Sequence, residues 1–389
     1  MTIPVPSQSE MLLSCLTVGT LQLFTGLRSL LRARIHPAVP GTSLPRPAAV
    51  IIPCKGARDG LAGNAAALLG QYYPAGAEFI FVTPSRNDPA WDVLHKAISS
   101  NPGVKAELTV SNAVPERCGE HILNKLHGLS SVSEKSEVLV FADSDVRVPP
   151  GWLALMTAPL EDPSVGAVTA PLVFLPGRIT DICGNLRCAW EAAGIPYLDL
   201  GGCVTGASFS IRRKDFEGLG IREMWSRSLS DDLSLSAGLR KAGMSVRFAY
   251  GALPSSAEDC EPLPVLGMFN KWMTLFKFYS PMILTAGAAL TAFKLYAVLR
   301  GFLGLGWLPA AALFAADALY VYIALSAVLG RRPERTAGAA FPFISIIAAL
   351  LLQPLYAANF LASLFSCKVR WGGYTYRVRG PERITVEPR

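Results

Sequence analysis

The sequence predicts an α/β sheet domain carried between membrane-spanning helices. Apolar, β-rich runs alternate with stretches of helical composition from residue 48 to residue 265, which is the pattern of an α/β sheet. Long apolar runs lie before and after this region. Of the 389 residues, 51% are hydrophobic and 17% are charged, a composition too apolar for an ordinary soluble protein. We therefore expect a multi-pass integral membrane protein with one globular domain.

The excess of basic residues indicates a membrane partner rather than a nucleic acid. The 36 Lys and Arg residues outnumber the 29 Asp and Glu residues, for a net charge of +7. They cluster beside the apolar segments, and no nucleic-acid-binding motif accompanies them. Lipid headgroups at a cytoplasmic membrane face explain this excess, so we expect no nucleic-acid partner.

The cysteines and histidines limit which kinds of metal site and catalytic site the chain can have. The eight cysteines form no CxxC pair and have no histidine nearby at zinc-ligand spacing, so neither a zinc site nor a disulfide framework is predicted. A reducing compartment is the simpler interpretation. The chain has only four histidines, which leaves few candidates for a histidine-based nucleophile system. Carboxylates must then carry any acid–base catalysis.

The N-terminal apolar run predicts a membrane anchor. Residues 11–31 are long enough for a helix to cross a bilayer core. No Lys or Arg precedes them, whereas three arginines lie within residues 28–34. A cleaved signal peptide has the opposite charge order, so we predict that residues 1–36 are an uncleaved anchor whose following side is cytoplasmic. Residues 37–47, which are rich in Pro, are predicted as a linker, and residues 48–265 as a cytoplasmic globular domain, at a bacterial inner membrane or a Golgi-type membrane.

The run VLVFADSDVRV, residues 138–148, is central to the functional prediction. Its continuous apolar part is typical of a strand buried on both faces of a parallel sheet, and ligands bind such sheets at the carboxyl ends of the strands. Asp143 and Asp145 follow directly. Because Mg²⁺ and Mn²⁺ prefer oxygen ligands, this pair could hold a divalent metal with its bound phosphates. The alternative is an acidic turn that only ends the strand.

Two further strand ends carry polar candidates. The run AAVIIPC ends at Lys55 and Gly56, a combination suited to a phosphate or nucleotide edge although it is not a P-loop. The run EFIFVT leads to Asp88, which could accept hydrogen bonds from a ribose or a base. An Asp-Pro pair is also common as a turn or helix cap, and this alternative stays open.

A small-residue stretch and an acidic pair follow further along the chain. Residues 201–208, GGCVTGAS, would let a ligand approach the backbone closely at Gly206 and Ser208, but they would equally suit a bulged strand in the core. Asp231 and Asp232 begin a helical run behind Ser230. Capping the helix accounts for one aspartate, which leaves the other available for chemistry.

The C-terminal third of the chain consists mainly of long apolar runs instead of the alternating pattern of the globular region. Residues 266–280 contain the aromatic and basic run KWMTLFKFY, which suits an amphipathic segment at a membrane interface. Residues 281–366 hold three apolar runs, of which the first is the least certain because Lys294 lies inside it. The basic loop 331–335 and the basic tail 367–389 both favour the cytoplasm, and three crossings cannot place both there. The number of crossings stays open at this point.

The motifs, in order, resemble those of one enzyme family. PCKG, NDPA, FADSDVRV, CVTGAS with IRRKDF behind it, SDDLSLS, NKW and the tail VRWGGYTYRVRG resemble the ceramide glucosyltransferases and their bacterial relatives. These are membrane-bound inverting enzymes with a GT-A catalytic domain, a Rossmann-like fold that binds nucleotide-diphospho-sugars. The resemblance covers almost the whole chain, and the order and spacing of the motifs are more specific than any one of them.

The resemblance implies a role for each matching residue. Asp88 matches the site for the uridine end of a UDP-sugar, and Asp143 and Asp145 match the site where a metal bridges to the diphosphate. Asp232 matches the general base, with its neighbour Asp231 as the alternative. The remaining donor and acceptor positions are Lys55 and Lys271 on the nucleotide-sugar side, Trp272 near both the diphosphate and the acceptor, and Gly206 and Ser208 on the acceptor side.

Two positions depart from the family's (Gln/Arg)-x-x-Arg-Trp motif. Met268 replaces the leading polar residue, and Lys271 replaces Arg, so a bidentate contact becomes a point charge. The departures affect the donor geometry more than the reaction class. The resemblance therefore implies transfer of one sugar, glucose, from a UDP-sugar to the hydroxyl of a ceramide-like membrane lipid, with Mg²⁺ or Mn²⁺. The alternatives are a hopanoid transferase that uses UDP-N-acetylglucosamine, a processive polysaccharide synthase and an inactive membrane scaffold.

Overall fold

The fold is taken from a computed structural model that describes residues 6–35, 46–58, 60–176, 180–257, 260–330 and 341–387. Most of the predicted linker 37–47 and the whole basic loop 331–335 lie outside the described residues. The strands are β1 (Ala48–Pro53), β2 (Ala77–Thr83), β3 (Lys105–Val110), β4 (Val138–Ala142), β5 (Val165–Thr169), β6 (Val173–Phe174), β7 (Ser208–Arg212), β8 (Ser245–Phe248), β9 (Ser255–Ser256), β10 (Lys368–Trp371), β11 (Tyr374–Val378) and β12 (Ile384–Glu387).

The helices of the globular region are α2 (Leu61–Leu69), α3 (Ala90–Ser99), α4 (Glu120–Gly128), α5 (Trp152–Thr157), α6 (Ile182–Leu200), α7 (Arg213–Gly218), α8 (Ile221–Trp225) and α9 (Asp231–Lys241). The apolar helices and the one that leads into them are α1 (Gln8–Arg34), α10 (Pro262–Tyr279), α11 (Pro281–Phe302), α12 (Leu308–Leu329) and α13 (Phe341–Phe365).

A seven-stranded mixed sheet forms the centre of the globular region, in the order β3-β2-β1-β4-β7-β5-β8. The pairs from β3 to β4 are parallel, whereas β7 runs antiparallel to both of its neighbours, β4 and β5. The carboxyl ends of β1 and β4 therefore meet at one edge of the sheet, and β7 begins at that same edge. This is the edge where the sequence predicted the ligand.

Side-chain alternation along the central strands builds a core on both faces of the sheet. In β1, Val50 and Ile52 pack toward one helical layer and Ala49 and Ile51 toward the other. Helices α2, α3, α5 and α6 cover the first face, and α4, α7, α8 and α9 cover the second. Burial on both faces explains why these strands have continuous apolar sequences.

The structure adds two strands to this sheet that the sequence patterns did not indicate. Strand β3, KAELTV, is an edge strand with exposed and half-buried positions, so it lacks a continuous apolar run. Strand β7 begins at Ser208, the last residue of the small-residue stretch, and is fully buried. Residues 201–207 are not in a strand, so the bulged-strand alternative holds only for Ser208. The predicted run VGAVTAPLVF divides near Pro171 into β5 and β6 because proline cannot continue the ladder of a central strand.

Four of the described helices are long and apolar enough to cross a membrane: α1, α11, α12 and α13. Lys294 of α11, the residue that made its helix uncertain, lies opposite Asp317 of α12. Its Nζ atom is 2.5 Å from Asp317 Oδ1 and 2.8 Å from Gln22 Oε1 of α1. Gln353 of α13 donates to Asp317 Oδ2 at 3.2 Å. Paired buried charges are compatible with an apolar helix bundle, and here they join all four helices.

The C-terminal tail is folded. Strands β10, β11 and β12 form an antiparallel sheet that packs against the globular domain. Tyr376 accepts a hydrogen bond from the backbone N–H of Glu120 at 3.2 Å, and Arg227 pairs with Glu382 at 3.2 Å. The tail and the domain that contains the large sheet therefore lie side by side, although three membrane-spanning candidates separate them in the sequence.

Candidate active site

Asp143 and Asp145 lie where β4 ends, beside a cavity of ≈ 440 Å³. Their side chains are 41% and 38% exposed, so both carboxylates face open space. Lys125 of α4 lies 3.7 Å from Asp143, and Arg58 lies 3.7 Å from Asp145. Reduced hydration, followed by the repulsion of nearby carboxylates, raises the pKa of Asp143 to about 7 despite the attraction of Lys125.

A second cavity of ≈ 980 Å³ adjoins the first. It is lined by Asp231 and Asp232, by Gly206, by Lys271 and Trp272, and by side chains of α1, α6, α10, α11, α12 and α13. The two cavities share the wall residues Arg58, His121, Asp143, Asp145 and Trp371. The predicted metal-binding pair thus stands at the junction of a compact cavity and a larger one that extends among the apolar helices.

Asp231 is held by two partners from α4. Lys125 Nζ lies 2.5 Å from Asp231 Oδ2, and His121 Nε2 lies 3.3 Å from Asp231 Oδ1. Burial alone would raise the pKa of Asp231, but Lys125 and His121 together lower it well below its usual range. Asp231 therefore remains an ionised, paired carboxylate with low basicity.

Asp232 is half-buried and lines the larger cavity. Its Oδ1 atom accepts from the backbone N–H of Leu233 at 2.7 Å and from the Ser230 hydroxyl. A Cβ atom at Gly206 would lie 3.3 Å from Asp232 Oδ2, so glycine keeps the space beside that oxygen open. Burial, followed by the charge of Asp231, raises the pKa of Asp232 to about 6. The two adjacent aspartates thus have very different acidities.

The two predicted lysines line different cavities, Lys55 the smaller one and Lys271 the larger one. Lys55 Nζ donates to Glu120 Oε2 at 2.5 Å and to the carbonyl of Gly372 at 2.7 Å. Lys271 Nζ of α10 lies 4.2 Å from the ring centroid of Trp371. Burial lowers the pKa of Lys271 to about 8. Trp272, the next residue, faces the larger cavity and lies 5.6 Å from the ring of Trp190.

Two of the predicted site residues, Ser208 and Asp88, are not among the described residues that line the two cavities. Ser208 is fully buried in β7. Its hydroxyl accepts a hydrogen bond from Trp152 Nε1 at 2.9 Å. The Oδ1 atom of Asp88 accepts from the N–H groups of Gly56 at 2.8 Å and Ala90 at 2.9 Å. Asp88 thereby shapes the loop at Gly56, which does line the smaller cavity.

Sequence reasoning missed the residues that organise these side chains. His121 and Lys125 lie four residues apart and so on one face of α4, a spacing that is visible in the sequence. Their partner, Asp231, is 106 residues further on from Lys125, and no local pattern indicates that distance. Trp371 and Gly372 belong to the tail motif, for which the sequence suggested no role.

Asp143 and Asp145 are suited to a divalent metal whose remaining coordination positions are filled by water or by the phosphates of a ligand. The described residues contain no cluster of three or more His, Cys, Asp or Glu side chains suited to a metal. Asp143 and Asp145 supply two exposed carboxylates, and hard cations commonly take their other oxygens from water and substrate phosphates. The pair is therefore suited to a metal bound together with a diphosphate.

The mixed sheet, the acidic residues at its strand ends and the apolar helices around the joined cavities suit a glycosyltransferase with membrane-spanning candidates. The sequence matches the model of glycosyl transferase family 21 over residues 11–384, and the chain belongs to that family, the ceramide glucosyltransferase family. No curated protein sequence matches the chain.

Two solved structures are similar to it. The mannosyltransferase PcManGT from Pyrobaculum calidifontis, in complex with GDP-Man and Mn²⁺, is 16% identical, with 91% of this chain and 97% of that chain covered and a TM-score of 0.45. A structure of GalNAc-T7 with UDP, GalNAc and Mn²⁺ is 13% identical, with 61% and 48% covered and a TM-score of 0.43.

Proposed function

We propose that this protein is an inverting glycosyltransferase that moves one sugar, glucose, from a UDP-sugar to the hydroxyl of a ceramide-like membrane lipid. The observation that carries the proposal is the junction of the two cavities. The smaller one has the carboxylates Asp143 and Asp145 with the cations Lys55 and Arg58, a set suited to a nucleotide diphosphate. The larger one runs from Asp232 and Lys271 into the apolar helices. A lipid in the larger cavity would present its hydroxyl to Asp232.

The donor side is proposed to combine a metal with positive side chains. Asp143 and Asp145 would hold Mg²⁺ or Mn²⁺, and a bound metal would supply charge stabilisation for the departing diphosphate. Lys55 of the smaller cavity and Lys271 of the larger one would neutralise further phosphate charge. Asp88 remains a prediction for the uridine end, and its bond to Gly56 supports a role in shaping that part of the pocket.

Asp232 is the proposed general base. Inverting transfer needs a group that takes the proton of the acceptor hydroxyl while its oxygen bonds to the anomeric carbon and the bond to the diphosphate breaks. With a pKa of about 6, Asp232 is ionised at neutral pH and is more basic than an ordinary aspartate. The ion pair with Lys125 makes Asp231 the weaker candidate.

The lipid acceptor is supported by the composition of the larger cavity wall. Apolar side chains of α10, α11 and α13 line it, including Phe276, Leu284 and Leu352. A cavity of ≈ 980 Å³ with such a lining suits part of an acyl chain or another apolar body. A soluble acceptor would need neither this lining nor the surrounding membrane helices.

We further propose that the catalytic domain and the tail both lie in the cytoplasm. The three arginines near the end of α1 favour that side by the positive-inside rule. The packing of the tail on the globular domain supports an even number of crossings between Pro281 and Lys368 rather than three. An even number of crossings between these two points satisfies both conditions.

The test is product analysis with the full chain reconstituted in vesicles. UDP-glucose or UDP-N-acetylglucosamine is supplied with ceramide-containing or hopanoid-containing lipid, and lipids are examined by mass spectrometry. We expect a single hexose added to ceramide, and no product from the Asp145→Ala variant. An N-acetylhexosamine-labelled hopanoid would favour the alternative donor and acceptor. A polymer found by size fractionation, or UDP release with no labelled lipid, would contradict the single-transfer proposal.

A further inference from the structure

We propose that the C-terminal sheet of β10, β11 and β12 is part of the donor site, where Trp371 and Gly372 orient Lys271 and Lys55 toward the donor diphosphate. The inference rests on the proposed function and extends it. It assigns a positioning role to a segment that follows the last apolar helix. The donor site is then incomplete without residues 368–387.

Gly372 orients Lys55 through its backbone. Its carbonyl accepts a hydrogen bond from Lys55 Nζ at 2.7 Å, on the side of Lys55 where Glu120 is also bound. Gly372 and Gly373 have φ values of +59° and +83°, a left-handed turn between β10 and β11 that favours glycine. A Cβ atom on Gly372 would also lie 3.2 Å from Glu120 Oε2. The turn therefore presents its carbonyl in a conformation that a side chain would disturb.

Trp371 orients Lys271 through its ring. The Lys271 ammonium lies 4.2 Å from the ring centroid, which is cation–π geometry. The ring of His121 stacks on the same tryptophan, with centroids 4.0 Å apart and an angle of 27°. Trp371 borders both cavities, and Lys271, which contacts its ring, lines the larger one. A lysine has a flexible stem, and such a contact limits where its point charge can lie.

The sheet is firmly attached, which a positioning role requires. Val369, Tyr376, Val378 and Ile384 are buried in one apolar cluster. On the domain side that cluster contains Leu229, Leu233, Leu275 and Tyr279. Leu229 and Leu233 flank the acidic pair of α9 in the sequence, so the same small sheet packs beside the proposed base and the two donor lysines.

The first test compares substitutions of Trp371 in the full chain, reconstituted in nanodiscs. Trp371→Leu keeps apolar bulk but removes the aromatic face. We therefore expect the KM for the UDP-sugar and the dissociation constant for UDP to rise about tenfold, which lies between the effects of an exposed and a desolvated cation–π contact. The KM for the lipid should change little. Trp371→Phe retains a ring and should restore most of the affinity, which a merely structural role would not predict.

Two control variants test whether the loss of UDP affinity is specific to Trp371 and Gly372, because each makes the same kind of substitution away from the site. Trp307→Leu removes a 51%-exposed tryptophan from the loop between α11 and α12 and should leave donor affinity unchanged. Gly372→Ala should also weaken UDP binding. Gly304→Ala, at φ +75° with nothing within 4 Å of the added Cβ, introduces similar backbone strain away from the site and should not weaken it.

The outcomes distinguish the inference from the proposed function. Unchanged UDP affinity in both Trp371→Leu and Gly372→Ala would overturn the inference while leaving sugar transfer intact. A wild-type chain that binds UDP but transfers no sugar would overturn the proposed function, and the UDP affinities of the variants would still decide the role of the tail. A wild-type chain that does not bind UDP would overturn both.

Discussion

Lys125 holds Asp231 in a buried ion pair, with 2.5 Å between Nζ and Oδ2, and this contact gives two adjacent aspartates different chemistry. Asp231 is committed to Lys125 and His121, whereas Asp232 faces the larger cavity. Its pKa is about 6, because burial and the charge of Asp231 both disfavour ionisation. These contacts support Asp232, rather than Asp231, as the proposed general base.

Replacing the proposed base should abolish turnover without abolishing donor binding. We expect Asp232→Asn to lower kcat by about 10²–10⁴-fold, the usual contribution of general-base catalysis. UDP affinity, measured by titration calorimetry, should stay within a few-fold of wild type. Turnover that persists in this variant would reject Asp232 as the base and return attention to Asp231.

The rate should depend on pH through the ionisation of Asp232. The carboxylate accepts a proton only when it is ionised, so kcat should fall below pH about 6 and level off above it. An aspartate with an ordinary pKa would keep its activity about two pH units lower. A pH series under donor and lipid saturation measures this, and a profile that is flat down to pH 4 would contradict the assignment.

Removal of divalent metal should weaken donor binding as well as activity. With two protein carboxylates and a diphosphate as the proposed ligands, chelation should reduce UDP affinity, and Mg²⁺ or Mn²⁺ should restore it. In Asp145→Ala the metal should no longer enhance UDP binding. UDP affinity that is equal with and without metal in the wild-type protein would exclude the proposed metal site.

Removing one partner of the buried Lys294–Asp317 ion pair should destabilise the helix bundle. Lys294→Met would leave the Asp317 carboxylate buried with only amide partners, at a cost of about 3 kcal/mol. Thermal unfolding in detergent should show a lower Tm, whereas Lys96→Met on the exposed side of α3 should not. Adding Asp317→Leu to Lys294→Met should recover part of the loss, and a further drop would argue against the ion pair as the cause.

Epitope tags should place the catalytic domain and the C-terminus on the same side of the membrane. A tag after residue 387 and a tag in the exposed turn at residues 102–103 should react with an impermeant antibody from the same side. A tag at 304–306, between α11 and α12, should react from the other side. Opposite sides for the first two tags would be incompatible with the packing of Tyr376 on Glu120.

The sequence alone determined the features that depend on local pattern. The position of Asp143 and Asp145 after a buried strand was predictable, because a strand buried on both faces needs a continuous apolar run and these two carboxylates follow that run. The apolar helices were predictable because a bilayer requires about twenty apolar residues. The spare aspartate at 231–232 followed from helix capping, and the order of the motifs led to the family that the whole-chain match confirms.

Only the tertiary structure determined the contacts, burial and pKa shifts that arise between residues far apart in the sequence. The different acidities of Asp231 and Asp232 arise from Lys125, which approaches from another helix. Ser208, predicted beside the acceptor, is buried because β7 enters the middle of the sheet. Trp371 and Gly372 reach Lys271 and Lys55 only because the tail returns to the catalytic domain. Charge, burial and contact depend on distances in space, which no local pattern in the chain contains.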